Sequence, residues 1–183
     1  MKLARTSALA LVAVAVATLT YAAKNPIVGG KEMFPNKNIV ENAVNSADHT
    51  TLVAAVKAAG LVETLQGPGP FTVFAPTNAA FQKLPAGTVD TLLKPENKST
   101  LTKVLTYHVV AGRLSSVDLK KEIKAGKGTA TLKTVSGDTL WAMMQGSNIV
   151  LKDAKGGMSM VTQANVFQSN GVIHVVDTVV LPQ

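Results

Sequence analysis

Apolar positions keep a helical period up to about Gly126 and a period of two beyond it. Ile39, Val40, Ala43 and Val44 recur on one side of a helix. Leu52, Val53, Val56 and Ala59 form a second stripe, ended by Gly60 where helix termini favour glycine. Gly67-Pro68-Gly69-Pro70 is a turn, and the β-branched and aromatic run Phe71-Thr72-Val73-Phe74 predicts a buried strand. Pro76-Thr77-Asn78 breaks that strand and caps a short helix carrying Ala79, Ala80 and Phe81. Thr88 opens another short helix, with Val89, Leu92 and Leu93 on one face. Pro95 suits the first turn of the next, in which Leu101, Val104, Leu105 and His108 stand at i, i+3, i+4 and i+7.

Strands follow. Thr129 to Thr134, Thr139 to Met144, Asn148 to Leu151, Met158 to Thr162 and Val172 to Val180 are candidates, and Gly137-Asp138, Gly146-Ser147 and Gly156-Gly157 are turns between them. Helices first and strands second predict one α+β domain, with the helices packed on a compact antiparallel sheet or sandwich.

The start of the chain reads as an address. Lys2 and Arg5 precede an apolar run from Ala8 to Leu19, and Thr20, Tyr21, Ala22 and Ala23 supply small residues for cleavage. Residues 1–22 are expected as a secretory signal, cut after Ala22 or else after Ala23. Residues 23–36 mix Pro, Gly and charge without a period and are expected as a loose leader; residues 37–183 are the domain. The apolar run is short for a bilayer core of about 30 Å, so after cleavage the chain is not expected to be an integral membrane protein.

Composition narrows the chemistry. The 183 residues contain no cysteine, which removes disulfides, thiolate-bound metals and thiol nucleophiles. One Trp, two Tyr and five Phe argue against a deep stacking groove for sugars or single-stranded nucleic acid. The histidines (His49, His108, His174) show no HExxH or HxH spacing, and no GxSxG elbow, P-loop or GxGxxG fingerprint is present. No cofactor is expected. Met158 and Met160 share a strand face, a pattern that suits packing better than Cu(I).

Charge is unevenly placed. From Arg113 to Lys133 stand six positive residues (Arg113, Lys120, Lys121, Lys124, Lys127 and Lys133) against Asp118 and Glu122. Lys120, Lys121, Lys124 and Lys127 are candidates for one side of a helix or loop that meets an acidic partner, or for a merely solvated face. Nucleic acid is not expected, because no stacking aromatics interleave with these lysines.

Three segments in register carry a resemblance. They are Thr72 to Phe81 (TVFAPTNAAF), Tyr107-His108 followed by Val109-Val110-Ala111-Gly112, and Asn170 to Asp177 (NGVIHVVD) leading to Val179-Val180-Leu181-Pro182. Together they resemble the fasciclin domain family, over roughly Lys37 to Gln183. The resemblance implies a compact β-sandwich or wedge flanked by helices, mainly from the N-terminal half. It also implies an exported, non-catalytic role in adhesion or protein interaction, with a cell-surface or matrix protein as partner, to which the lysine segment adds an acidic polysaccharide as a candidate. A periplasmic protein binding a small ligand or a metal is the alternative.

Within the blocks, Phe74 and Phe81 are expected in the core, and Pro76, Thr77 and Asn78 at a strand-to-helix junction. Tyr107 and His108 are candidates for an interaction role that the resemblance implies, or for a satisfied internal pair. His174 is expected to be structural, on a central strand whose other face carries Ile173, Val175 and Asp177. Asn170-Gly171 reads as a tight turn in which Asn170 bonds its own backbone and Gly171 takes a positive φ.

Overall fold

The computed structural model describes residues 25–183, so the expected signal lies outside the described residues. Where a loose leader was expected, β1 (Ile27–Val28) and β2 (Lys31–Glu32) pair as a hairpin that puts Val28 and Met33 in the core. The buried amide of Asn42 holds the segment after it, accepting from the Phe34 N–H at 2.9 Å and donating to the Phe34 carbonyl at 2.8 Å. Few residues of this stretch face inward, so no period announces it.

Six short helices follow in the N-terminal half. They are α1 (Ile39–Ala43), α2 (Thr50–Ala59), α3 (Val62–Gln66), α4 (Asn78–Gln82), α5 (Thr88–Leu92) and α6 (Lys98–Tyr107), with β3 (Phe71–Pro76) between α3 and α4. Gly60 ends α2 at φ 72°, a left-handed conformation that its lack of a Cβ permits. β4 (Val109–Ala111) and α7 (Ser116–Ala125) come next. Ser115 and Asp118 close a reciprocal capping box at the start of α7. The remaining strands are β5 (Thr129–Lys133), β6 (Thr139–Gln145), β7 (Asn148–Lys152), β8 (Met158–Gln168) and β9 (Gly171–Val176).

The main sheet runs β4-β3-β9-β8-β7-β6-β5. Its outer strands approach each other at a single bridge, Val110 to Thr134, so the sheet curls into a near-barrel wedge. The expected antiparallel sheet needs one correction: β3 and β9 are parallel, Phe71 opposite Gly171 through Pro76 opposite Val176. Both strands are buried almost throughout, as parallel neighbours covered on both faces must be.

The period of two then builds two cores from one strand pair. Val73, Ala75, Ile173 and Val175 face the helices, among Leu52, Val56, Leu101 and Leu105. Phe74 and Val176 face the inside of the curled sheet, with Tyr107, Leu119, Ile123, Leu140, Leu151 and Val180. The α+β wedge expected of the chain is the one observed.

Candidate functional site

The three blocks meet around β3 and β9. Phe74 is completely buried and stacks on the His174 ring, with centroids 5.7 Å apart and planes inclined by 26°. Phe81 enters the helical core, and Pro76 ends β3 opposite Val176. Thr77 Oγ1 accepts from the Ala80 N–H at 3.2 Å and so caps α4. Asn78 caps a different helix. Its Oδ1 accepts from the Thr51 N–H in the first turn of α2 at 3.0 Å, and its Nδ2 donates to the Ala47 carbonyl at 2.9 Å.

Tyr107 and His108 lie inside the molecule, 0% and 2% exposed. The Tyr107 hydroxyl donates to the Thr139 carbonyl at 2.7 Å and accepts from the Ala154 N–H at 3.1 Å, joining α6 to β6 and to the turn after β7. His108 Nε2 accepts from the Val180 N–H at 3.1 Å, so Nδ1 carries the proton and donates to the Val104 carbonyl at 2.8 Å. Desolvation by burial pushes the His108 pKa down to about 4, although the Val104 carbonyl and Asp153 favour the proton. The ring is therefore neutral, and it ties α6 to the C-terminal tail. Burial likewise raises the Tyr107 pKa.

His174 is built in the same way. The Asn165 N–H reaches Nδ1 at 3.3 Å, so Nε2–H donates to the Leu114 carbonyl at 2.8 Å, and burial lowers the pKa. Asp177 accepts from the Met160 N–H at 2.8 Å and pairs with Lys83 at 3.2 Å. Desolvation alone would raise its pKa, but these donors together with Thr178 hold it below the usual carboxylate value.

Two expectations at Asn170-Gly171 are corrected. Asn170 reaches across the fold instead of to its own backbone. Its Oδ1 accepts from the Ile39 N–H at 3.0 Å, and its Nδ2 donates to the Leu65 and Gly67 carbonyls at 2.8 and 2.9 Å. Burial explains the change, since two helices converge on it and their terminal groups need partners. Gly171 is not at positive φ; a Cβ there would stand 2.2 Å from the Phe71 carbonyl oxygen of the parallel strand.

Asp153 escaped the sequence reading. It is 4% exposed, and its carboxylate accepts from the N–H groups of Lys155, Gly157 and Leu181. It thus closes the turn between β7 and β8 on the same tail that His108 holds. The signal for it was the glycine pair three residues on, which marks a turn that an Asp can cap.

The lysines are the opposite of the buried blocks. Lys120, Lys121 and Lys124 stand exposed on α7, which buries Leu119 and Ile123, and exposed Lys127 follows in the turn. None of the four makes an ion pair among the described residues. Arg113 does not join them: its guanidinium donates to the Gln168 and Ser169 carbonyls.

A cavity of about 70 Å³ lies between α1–α3 and β3, with an almost wholly apolar lining that includes His49 and His108. Small-molecule sites are commonly some 300–1,000 Å³, so this one is small for a ligand of that kind. His49 Nδ1 lies 2.8 Å from Ser46 Oγ, and its Nε2 has no hydrogen-bond partner among the described residues. Burial lowers the His49 pKa, while the neighbouring Ala75 carbonyl favours the proton. Among the described residues no group of three or more His, Asp or Glu is placed to hold a metal, and no helix is long and apolar enough to cross a membrane.

Comparison with known proteins agrees with this arrangement. The sequence model of the fasciclin domain matches residues 47–182. The Synechocystis protein sll1483 is 43% identical over 175 residues, covering 96% of this chain and 90% of its own. The cell surface glycolipoprotein MPB83 of Mycobacterium bovis is 34% identical over 168 residues, 88% of this chain and 69% of its own. Among solved structures, a FAS1 domain pair from the insect cell adhesion molecule Fasciclin I superposes with a TM-score of 0.70 at 20% identity, over 80% of this chain and 51% of that one.

Proposed function

The chain belongs to the fasciclin domain family, and we propose that it is an exported, non-catalytic adhesion domain that binds an acidic partner at the cell surface or in the matrix. One observation carries this reading. Lys120, Lys121, Lys124 and Lys127 form an exposed ridge on α7 and the turn after it, with no carboxylate paired to any of them among the described residues. Such a ridge attracts polyanions at range and gives up the attraction to salt. The blocks that define the family work from inside, by holding α6, the sheet and the C-terminal tail in one arrangement.

The relationship to a protein described as a cell surface glycolipoprotein supports placing the function at an envelope. The start of the chain, read as a secretory signal, supports export. The three histidines are buried with their pKa values lowered by desolvation, and the Asp153 carboxylate is spent on backbone amides, which supports a structural use of these groups.

The test is retention of the purified chain on immobilised acidic polysaccharide and on envelope fragments, from about 0.05 to 0.5 M salt, over which exposed charges become strongly screened. Retention should fade with salt and be lost in the triple variant Lys120→Glu, Lys121→Glu, Lys124→Glu. Unchanged retention of that variant would dispose of the ridge.

A further inference from the structure

The outer face of the β5–β8 part of the sheet carries a second feature. In register, Thr131 stands opposite Trp141 and Trp141 opposite Lys152, while Thr129 stands opposite Met143. Directly opposed residues share a face, so these side chains point away from the buried Leu132, Leu140 and Leu151. An open groove of about 460 Å³ lies there, walled by Thr129, Trp141, Met143, Lys152, Lys155 and the turn around Gly156. Trp141, the one tryptophan of the chain, is only half-buried.

Lys152 and Lys155 are exposed and make no ion pair among the described residues. The Asp153 carboxylate at the wall does not pair with them, because it accepts from three backbone amides instead. A groove walled by a half-buried indole, two exposed lysines and a threonine has a definite complement. It is a molecule with a C–H-lined flat face and a carboxylate at its edge. The ring face is electronegative and attracts polarised C–H bonds, while ammonium–carboxylate hydrogen bonds are among the stronger ones.

We propose that this groove is the subsite that grips one carboxylated sugar ring of an acidic polysaccharide, the ring lying on Trp141 and its carboxylate between Lys152 and Lys155. The proposal rests on the surface-binding reading above and names its partner. The ridge and the groove lie on opposite faces of β5 and β6, since α7 packs Leu119 and Ile123 against Leu140 and Leu151 while Trp141 points away from them. Lys127, at the end of the ridge, is two residues from Thr129 at the groove wall, a Cα separation of at most about 7.6 Å. The groove therefore adjoins the ridge at its Lys127 end. The groove is open and has a single stacking ring, which is compatible with a chain too poor in aromatics for a deep sugar cleft.

Trp141 is its own reporter. The purified chain is titrated with a short oligogalacturonate while tryptophan emission is followed, beside retention on immobilised polygalacturonate. A saturable change in emission is expected, weakened about tenfold, or 1.4 kcal/mol, in Lys152→Gln, Lys155→Gln. A neutral oligoglucan of equal length should give no change at the same concentrations. Retention without any emission change would overturn the groove and leave the ridge standing, whereas loss of both would sink the two readings together. An equal response to the neutral glucan would overturn the role of the lysines. A response to anionic phospholipid vesicles alone would give the face to a membrane surface and overturn the sugar assignment.

Discussion

The Tyr107–His108 pair and the α7 ridge lie a dozen or so residues apart in sequence and are opposite in physics. The pair is sealed from solvent, uncharged, and spends all four of its side-chain hydrogen bonds on backbone groups of α6, β6, the turn after β7 and the tail. The ridge is exposed and charged, and makes no ion pair among the described residues. The comparison teaches that the motif by which the family is known need not be the surface by which a member acts. Burial protects the first from exchange with any partner, and only the second is available to one.

That contrast breaks most sharply at His108. His108→Ala leaves the Val180 N–H and the Val104 carbonyl without their partner and opens a void in a packed interior. We expect a loss of about 3–4 kcal/mol, read as a lowered urea midpoint. Acid should act on the same group without mutation. The ordinary histidine value is 6.5 and the folded value about 4, so between them the unfolded chain binds a proton that the folded chain refuses. Stability should be complete above pH 6.5, fall as pH drops toward 4, and level off below it, by about 3 kcal/mol from this group. Urea melts at a series of pH values check the window. Burial lowers His49 and His174 as well, and they deepen the fall in the same direction.

Asn170→Ala should cost about 2 kcal/mol, since it frees the Ile39 N–H and two carbonyls in a buried site. Thr77→Ala removes the α4 cap and should cost about 1 kcal/mol. Both are measured by the same denaturant titration. At the small end stands the ridge. In the Lys120→Glu, Lys121→Glu, Lys124→Glu variant each substitution should contribute no more than about 0.5 kcal/mol, because exposed substitutions away from packed features rarely do more. A large destabilisation in that variant would mean that the lysines serve the fold.

Much of the architecture was legible because it is local. The Leu101, Val104, Leu105 stripe and the Gly60 stop each follow from a short window and fall where expected, whereas the strand expected from Val172 to Val180 ends at Val176. What escaped was non-local or short. Parallel pairing of β3 with β9 joins distant segments, and its only trace was apolar burial on both strand faces. β4 has three residues, too few for a period to show. α7 stayed undecided between helix and loop, although Ser115 three residues before Asp118 spells its capping box. The partners of Asn170 and Asp153 could not be read locally, because their hydrogen bonds run to elements that only the fold brings near. Trp141 beside Lys152 is a cross-strand juxtaposition of the same kind, visible only once β6 and β7 are in register.

The measurement that bears most directly on the division between an internal clasp and an external ridge is polysaccharide retention by His108→Gln. Glutamine keeps one donor and one acceptor, and circular dichroism establishes that the variant is folded at the temperature used. Retention equal to the parent's is the predicted result, together with a lowered urea midpoint. A folded variant that no longer binds, beside a ridge variant that still does, would contradict the account and place the partner's contact at the Tyr107–His108 pair.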